Sequence, residues 1–127
     1  MIKILIPLPP HTKKNSNQIF INKETGKRFI TPSALYKQYE IDCEWYINCK
    51  HINLDMPLTV KCLYYMPTRR KIDLVNLLEA TDDILVKYGV LQDDNSQIIV
   101  SHDGSRVFYD KEKPRTEIYI DNYKNSL

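Results

Sequence analysis

The chain has 127 residues, of which 43% are hydrophobic and 27% charged, and this length and composition are typical of one soluble globular domain. No apolar run approaches the roughly 20 residues that a membrane-spanning helix needs, and the apolar start is too short for a signal peptide, so we expect a single cytoplasmic domain over residues 1–127. The net charge of +2 hides a split, because residues 1–71 carry +7 and residues 72–127 carry −5.

The first 30 residues predict three strands. Residues 2–7 form an apolar run that stops at Pro7, and the polar, basic residues 11–18 that follow predict a loop. Two short apolar segments within residues 19–30 flank a turn that contains Gly26, which favours a hairpin.

A first helix is predicted after this hairpin. Thr31 is a suitable N-cap and Pro32 suits the first helical position, where its missing N–H leaves no bond unmade. Apolar and aromatic residues recur at helical spacing as far as Cys49, so we expect the helix to end near that residue.

The second half predicts a strand, a helix and two further strands. Leu58 to Met66 is rich in β-branched and aromatic residues, and residues 73–88 have the spacing of an amphipathic helix followed by Gly89 at its C-terminal end. We expect a strand that begins at Gln97 and continues to Tyr109 across a bulge at Asp103-Gly104, and residues 115–120 alternate as a strand does. The order βββαβαββ indicates an α+β fold in which two main helices accompany a mixed sheet.

Three cysteines and three histidines offer no metal site or disulfide framework. The cysteines are odd in number and irregularly spaced, which fits neither a zinc cage nor a set of disulfides. The histidines are scattered along the chain, so we expect them to have structural roles.

Acidic residues concentrate between Asp73 and Asp94, where Lys87 is the only base. On a helical wheel the apolar residues of the second helix share one arc and its polar residues lie opposite, an arrangement in which Asp82 and Asp83 fit a solvated face. Val75 is an anomaly because it projects among these polar residues. If the acids converge, their oxygens are the ligands that Mg²⁺ prefers, and a metal so held activates water against a phosphodiester.

Basic residues precede the acidic segment and suit phosphate binding. The cluster Arg69-Arg70-Lys71 stands directly before Asp73, which makes it the strongest candidate, whereas for several of the others a solvated surface explains the charge equally well. The other candidates are Lys13, Lys14, Lys23, Lys27 and Arg28.

Several motifs occur together in one order and spacing over most of the chain. They are Pro9-Pro10, Lys14-Asn15, the hairpin around Gly26, Thr31-Pro32-Ser33, Tyr36-Lys37, Met66-Pro67, Arg69-Arg70, Asp73-Leu74, Asn76-Leu77, Asp83, Gly89-Val90, Asp93-Asp94 and Gln97-Ile98. This set resembles the RusA-type Holliday junction resolvases, a family common in phages and prophages. The resemblance implies a small α+β homodimer that binds branched double-stranded DNA and cleaves four-way junctions symmetrically, with Mg²⁺, or else Mn²⁺, held by acids.

The resemblance also assigns roles to individual residues. Asp73 and Asp94, with Asp93 beside it, match metal-binding acids of the family, and Asn76 would orient a ligand or a bound water. The residues expected to contact DNA are Lys13, Lys14, Asn15, Lys27, Arg28, Arg69, Arg70 and Lys71.

Two positions depart from the family pattern at the expected catalytic centre. Val75 stands where the family has a second aspartate, and Glu79 stands where it has a functional lysine. In one interpretation Glu79, one turn beyond Val75, restores the lost carboxylate and belongs to the catalytic set. In the other, the site is degraded and the protein only binds DNA junctions. A dimeric scaffold without a nucleic-acid role is a third hypothesis, which the basic cluster disfavours.

Overall fold

A computed structural model describes residues 1–13, 17–32 and 34–124, apart from the side chains of residues 17–20 and 29–32. Within these residues, seven strands and two helices follow one another. They are β1 (Ile2–Ile6), β2 (Asn17–Ile21), β3 (Arg28–Pro32), α1 (Ala34–Cys43), β4 (Leu58–Met66), α2 (Leu74–Lys87), β5 (Ile99–Ser101), β6 (Arg106–Tyr109) and β7 (Arg115–Asn122).

A mixed five-stranded sheet carries the core. β7 lies between β1 and β4 and is antiparallel to both, while β5 and β6 pair in parallel with successive parts of β4. Strands β2 and β3 form a separate antiparallel hairpin. The predicted α+β class with two main helices and a mixed sheet is therefore confirmed.

Strand β4 places one face of the sheet against α2. Its residues alternate between buried and half-buried positions, and the buried set includes Val60, Cys62 and Tyr64. From α2, Leu77, Ile84 and Leu85 are buried in the same core. Full burial of one such aliphatic side chain contributes about 1.5–3 kcal/mol, so this face fixes the helix on the sheet.

A buried pair of hydroxyl groups forms a hydrogen bond within this apolar contact between α2 and β4. The Thr81 hydroxyl donates to the Leu77 carbonyl at 3.0 Å and lies 2.7 Å from the Tyr64 hydroxyl. Because Thr81 has a single hydroxyl hydrogen, Tyr64 is the donor between the two. The bond ties the middle of α2 to β4.

The predicted start and end of the first helix were wrong. Thr31 and Pro32 belong to β3, where Pro32 is paired with Asn17, and α1 begins at Ala34. The helix ends at Cys43 and gives way to a 3-10 turn at Glu44–Tyr46. Pairing across the hairpin therefore overrides the local capping signal.

The second helix and the strands after it follow the sequence prediction more closely. Asp73 precedes α2 in an extended conformation, and Gly89 follows the helix with a φ of 71°. The strand expected from Gln97 toward Tyr109 is divided into β5 and β6 by a turn at Gly104, whose φ is 87°. Within the described residues, no helix is long and apolar enough to cross a membrane.

Candidate active site

Asp73 occupies the residue before α2, at the end of the connection from β4. Its side chain makes no capping hydrogen bond to the helix, and it accepts a 3.4 Å hydrogen bond from the Asn76 amide one turn later. The residue is exposed, so its carboxylate is accessible to a ligand. Asn76 thus contacts the Asp73 carboxylate, and its expected role of orienting a ligand or a bound water stays a prediction.

The polar side of α2 carries Val75, Glu79 and Asp82, at positions four and seven residues apart that share one helical stripe. Val75 is 71% exposed, which makes it an apolar side chain in solvent rather than part of the core. Glu79 is also exposed. The anomaly at Val75 is therefore real in three dimensions, and it interrupts the acidic stripe near its beginning.

Asp82 is not part of a solvated face, contrary to the sequence prediction. Its side chain is only 14% exposed, and its Oδ2 lies 2.9 Å from Nε2 of His102. Nδ1 of the same ring lies 2.7 Å from the Val60 carbonyl oxygen, which can only accept, so Nδ1 carries a hydrogen. The bond between His102 and Asp82 then needs one further proton, which the imidazole and the carboxyl share.

This pair has perturbed titration properties. Burial raises the pKa of Asp82, the bond to His102 counteracts that rise, and the negative charges of Asp94 and Asp83 add to it. Burial lowers the pKa of His102, but hydrogen bonding and attraction from Asp82, with the Val60 carbonyl, outweigh burial, and the net pKa is raised. Among the described residues, Oδ1 of Asp82 is buried without a hydrogen-bond partner.

The two acids of the loop before β5 differ in what they bind. Asp93 accepts hydrogen bonds from the Asp94 backbone N–H at 2.8 Å and from the Asn95 amide at 3.0 Å, one on each oxygen. These bonds lower the pKa of Asp93. Asp94 is exposed and lies near enough to Asp82 for its charge to act on that carboxyl. Asp93 thus stabilises the loop through both of its carboxylate oxygens, and Asp94 is the more accessible candidate of the two.

The predicted metal-binding acids do not form a closed cage. In the part of the chain that the structure describes, no group of three or more His, Cys, Asp or Glu side chains is arranged to hold a metal ion. Mg²⁺ commonly binds through one or two carboxylates and several waters, however, so a three-residue cage is not required. The exposed carboxylates of Asp73 and Asp94 are hard oxygen donors that fit this ion.

A basic groove runs along the connection from β4 to Asp73. It has a volume of about 550 Å³, and Arg70 and Lys71 form its basic side. A second hollow of about 290 Å³ adjoins it across Arg70 and includes Arg69. The groove is lined by Pro10, His11, Thr12, Leu35, Met66, Thr68, Arg70, Lys71 and Ile72, none of which is acidic.

The other predicted DNA contacts are more dispersed. Lys13 forms an ion pair with Asp83 at 2.6 Å, so its charge is already partnered within the protein. Lys27 and Arg28 are exposed on the β2–β3 hairpin. Lys14 and Asn15 lie outside the described residues. Among the described basic candidates, Arg69, Arg70 and Lys71 are the ones that stand next to Asp73 in the connection before α2.

Sequence reasoning missed two features of this region. The first is the His102–Asp82 pair, because a helical wheel does not show which strand covers a given face. The second is Tyr109, whose ring lies 4.1 Å from the Arg69 guanidinium. The sequence predicted a strand that continues toward Tyr109, but nothing in the sequence placed that strand beside the basic cluster.

Comparison with known proteins agrees with the motifs and the fold. No curated protein matches the chain. The family described as endodeoxyribonuclease RusA matches residues 7–121, which is most of the 127-residue chain and includes every described residue of the candidate site. The protein therefore belongs to the RusA endodeoxyribonuclease family.

Proposed function

We propose that the protein is a Mg²⁺-dependent, structure-selective endonuclease that resolves four-way DNA junctions. Family membership supports nuclease activity on Holliday junctions. The observation that carries the proposal for this chain is the groove lined by Arg70, Lys71 and Ile72, which directly precede the exposed Asp73 in the chain. A groove that binds phosphates beside a metal-binding acid is the arrangement that phosphodiester cleavage needs.

Asp73 and Asp94 would hold the metal, with Asn76 fixing the orientation of the Asp73 carboxylate. Glu79, on the polar side of α2 that also carries Val75, would supply a further carboxylate to the site. When bound, Mg²⁺, or Mn²⁺ in its place, supplies a water with a lowered pKa and neutralises charge on the phosphodiester. Asp93 supports Asp94 indirectly, because its two hydrogen bonds hold the loop in shape.

Arg70 and Lys71 would bind DNA phosphates on the approach to Asp73. Arginine forms paired hydrogen bonds to phosphate oxygens, and lysine contributes a compact charge. We also propose a homodimer, because a four-way junction has two equivalent strands to cut and a two-fold dimer presents two equivalent sites. Light scattering is expected to give twice the chain mass of 15.0 kDa.

A labelled four-way junction incubated with purified protein and Mg²⁺ tests the activity. Paired, symmetric nicks are expected with the wild-type protein and none with Asp73→Asn, because the amide removes a charged ligand. Asp55→Asn is the matched control, since Asp55 is also exposed but lies outside the acidic segment. Absence of nicks with both Mg²⁺ and Mn²⁺ would refute the proposed activity.

A degraded site that only binds junctions is the second candidate, and the exposure of Val75 favours it. An apolar side chain in solvent at this position leaves the acidic stripe without one carboxylate. The nuclease hypothesis predicts cleavage by the wild-type protein, which Val75→Asp would increase. The degraded-site hypothesis predicts junction binding without cleavage, and cleavage that appears only in Val75→Asp would support it.

A further inference from the structure

A hollow beside the basic groove has the chemistry of a site for a nucleobase. It lies between the β4–α2 connection and β6 and has a volume of about 290 Å³. Tyr109 is 40% exposed, and the Arg69 guanidinium covers part of its ring at 4.1 Å from the centroid. The lining residues are Met66, Thr68, Arg69, Arg70, Val107, Phe108 and Tyr109, with two arginines and no acid.

The fold fixes the position of Tyr109 in this hollow. β6 pairs in parallel with β4, so that Tyr109 is the register partner of Met66, and the Asp110 N–H donates to the Met66 carbonyl at 2.9 Å. Val107 alternates onto the same side of β6 as Tyr109, and it too is exposed. An aromatic ring and apolar side chains are thus held in solvent beside the phosphate-binding candidates.

Two other aromatic residues of these strands, Tyr65 and Phe108, are arranged differently. Tyr65 and Phe108 stack on each other at 4.9 Å, and Arg115 and Arg106 lie over them. These contacts all lie within the sheet, and cross-strand packing accounts for them. Cross-strand packing of that kind does not account for Tyr109, whose cationic neighbour comes from the basic connection before Asp73.

We propose that this hollow takes an unstacked base of the DNA strand next to the branch point, with Tyr109 stacking on the base and Arg69 and Arg70 contacting its phosphates. Inside a duplex the base faces are covered by their neighbours, whereas a base at a branch point is more easily unstacked. The hollow thus selects branched over linear DNA. This inference rests on the proposed function, because the DNA that it recognises is the proposed substrate.

Binding of the full-length protein to a four-way junction and to a linear duplex of the same sequence tests the inference. Because a base gains affinity by stacking on an aromatic ring, Tyr109→Leu is expected to weaken junction binding about 5- to 140-fold. Tyr109→Phe keeps the ring and is expected to bind as the wild type does. Tyr123→Leu is the matched control, because Tyr123 is equally exposed, at 40%, but follows β7.

A second experiment crosslinks the wild-type protein by light to a junction that carries 5-iododeoxyuridine at the branch point. It does not depend on whether a variant folds. The crosslinked peptide is expected to contain Tyr109, and a crosslink elsewhere would overturn the inference. If the wild type binds and cuts junctions while Tyr109→Leu retains full affinity, the inference fails and the proposed function stands. If the wild type binds no junction at all, both fail.

Discussion

The proton shared by His102 and Asp82 is a pH-sensitive link between α2 and the centre of the sheet. The imidazole is fixed from one side by the Val60 carbonyl of β4 and reaches Asp82 on the helix with its other nitrogen. Both pKa values are raised in the folded protein, so the native state binds protons more tightly than the unfolded chain at these two residues. Unfolding therefore releases protons.

The free energy of unfolding is expected to decrease as the pH rises above about 6.5. The stabilising contribution of His102 is fully present below its unfolded pKa of 6.5 and is lost as the pH rises through the higher folded value. The raised pKa of Asp82 acts in the same direction from 3.8 upward. The slope is at most about 1.4 kcal/mol per pH unit for each proton released. Urea unfolding at a series of pH values measures it.

His102→Gln is expected to remove most of the decrease above pH 6.5, because the amide does not titrate. His51→Asn is the control, since His51 is exposed and its φ of 64° suits asparagine. If His102→Gln and the wild type change in parallel between pH 6 and 8, then the shared proton does not contribute to stability.

The connection after α2 positions the loop that carries Asp93 and Asp94. It runs beside residues 51–54, and backbone hydrogen bonds join the two segments at His51–Tyr88, Asn53–Gly89, Leu54–Val90 and Gln92–Leu54. Gly89 allows this close approach, because a Cβ atom at its position would lie 2.9 Å from the Cα of His51. The site depends on this docked element, although none of its residues touches DNA in our proposal.

Gly89→Ala is expected to destabilise the protein by about 3 kcal/mol. An alanine at positive φ costs about 1–2 kcal/mol, and the contact with the His51 backbone adds an overpacking cost of about 1–3 kcal/mol. Gly26→Ala is the matched control, because Gly26 has nearly the same φ of 70° and a Cβ atom at its position would have no neighbour within 4 Å. Equal losses for the two variants in urea unfolding would show that the contact with His51 is easily relieved.

At the level of elements, long periodic segments were predictable and short competing ones were not. β4 was predicted with its exact bounds because its whole length is β-branched and aromatic, and α2 was predicted because its apolar stripe and its C-terminal glycine agree. The cap at Thr31 failed because backbone pairing between β2 and β3 continues through Pro32. Such pairing depends on a partner strand, which a local motif does not reveal.

Across the whole molecule, the basic and acidic halves of the chain are joined rather than kept apart. Lys13 of the basic half forms an ion pair with Asp83 of the acidic half at 2.6 Å. Conversely, Lys87 of the acidic half forms an ion pair with Glu40 of the basic half. Within the described residues, no ion pair involves Arg70 or Lys71. Fewer basic residues are therefore available to bind an external partner than the charge of the first half of the sequence indicated.

The sequence was enough to select the charged residues of the candidate site, but not to predict which of them contact one another. The sequence identified the basic cluster and the exposed acids, because clustered charges and a helix boundary are visible in one dimension. It did not show that Lys13 is neutralised by Asp83 or that Asp82 is withdrawn from solvent by His102. Both contacts join residues far apart in the chain, so they follow from the topology of the sheet rather than from any motif.

Junction binding is expected to weaken steeply with salt, and the slope should depend on Arg70 and Lys71. Each phosphate contact releases about one counterion, so the double variant Arg70→Ala/Lys71→Ala is expected to reduce the slope of log affinity against log salt by about 2. Lys50→Ala/Lys124→Ala removes the same charge from exposed residues that do not line the groove. Its slope is expected to equal that of the wild type. Fluorescence anisotropy with a labelled junction between about 50 and 200 mM salt measures both slopes. Equal reductions in the two variants would mean that net charge, and not the groove, governs binding.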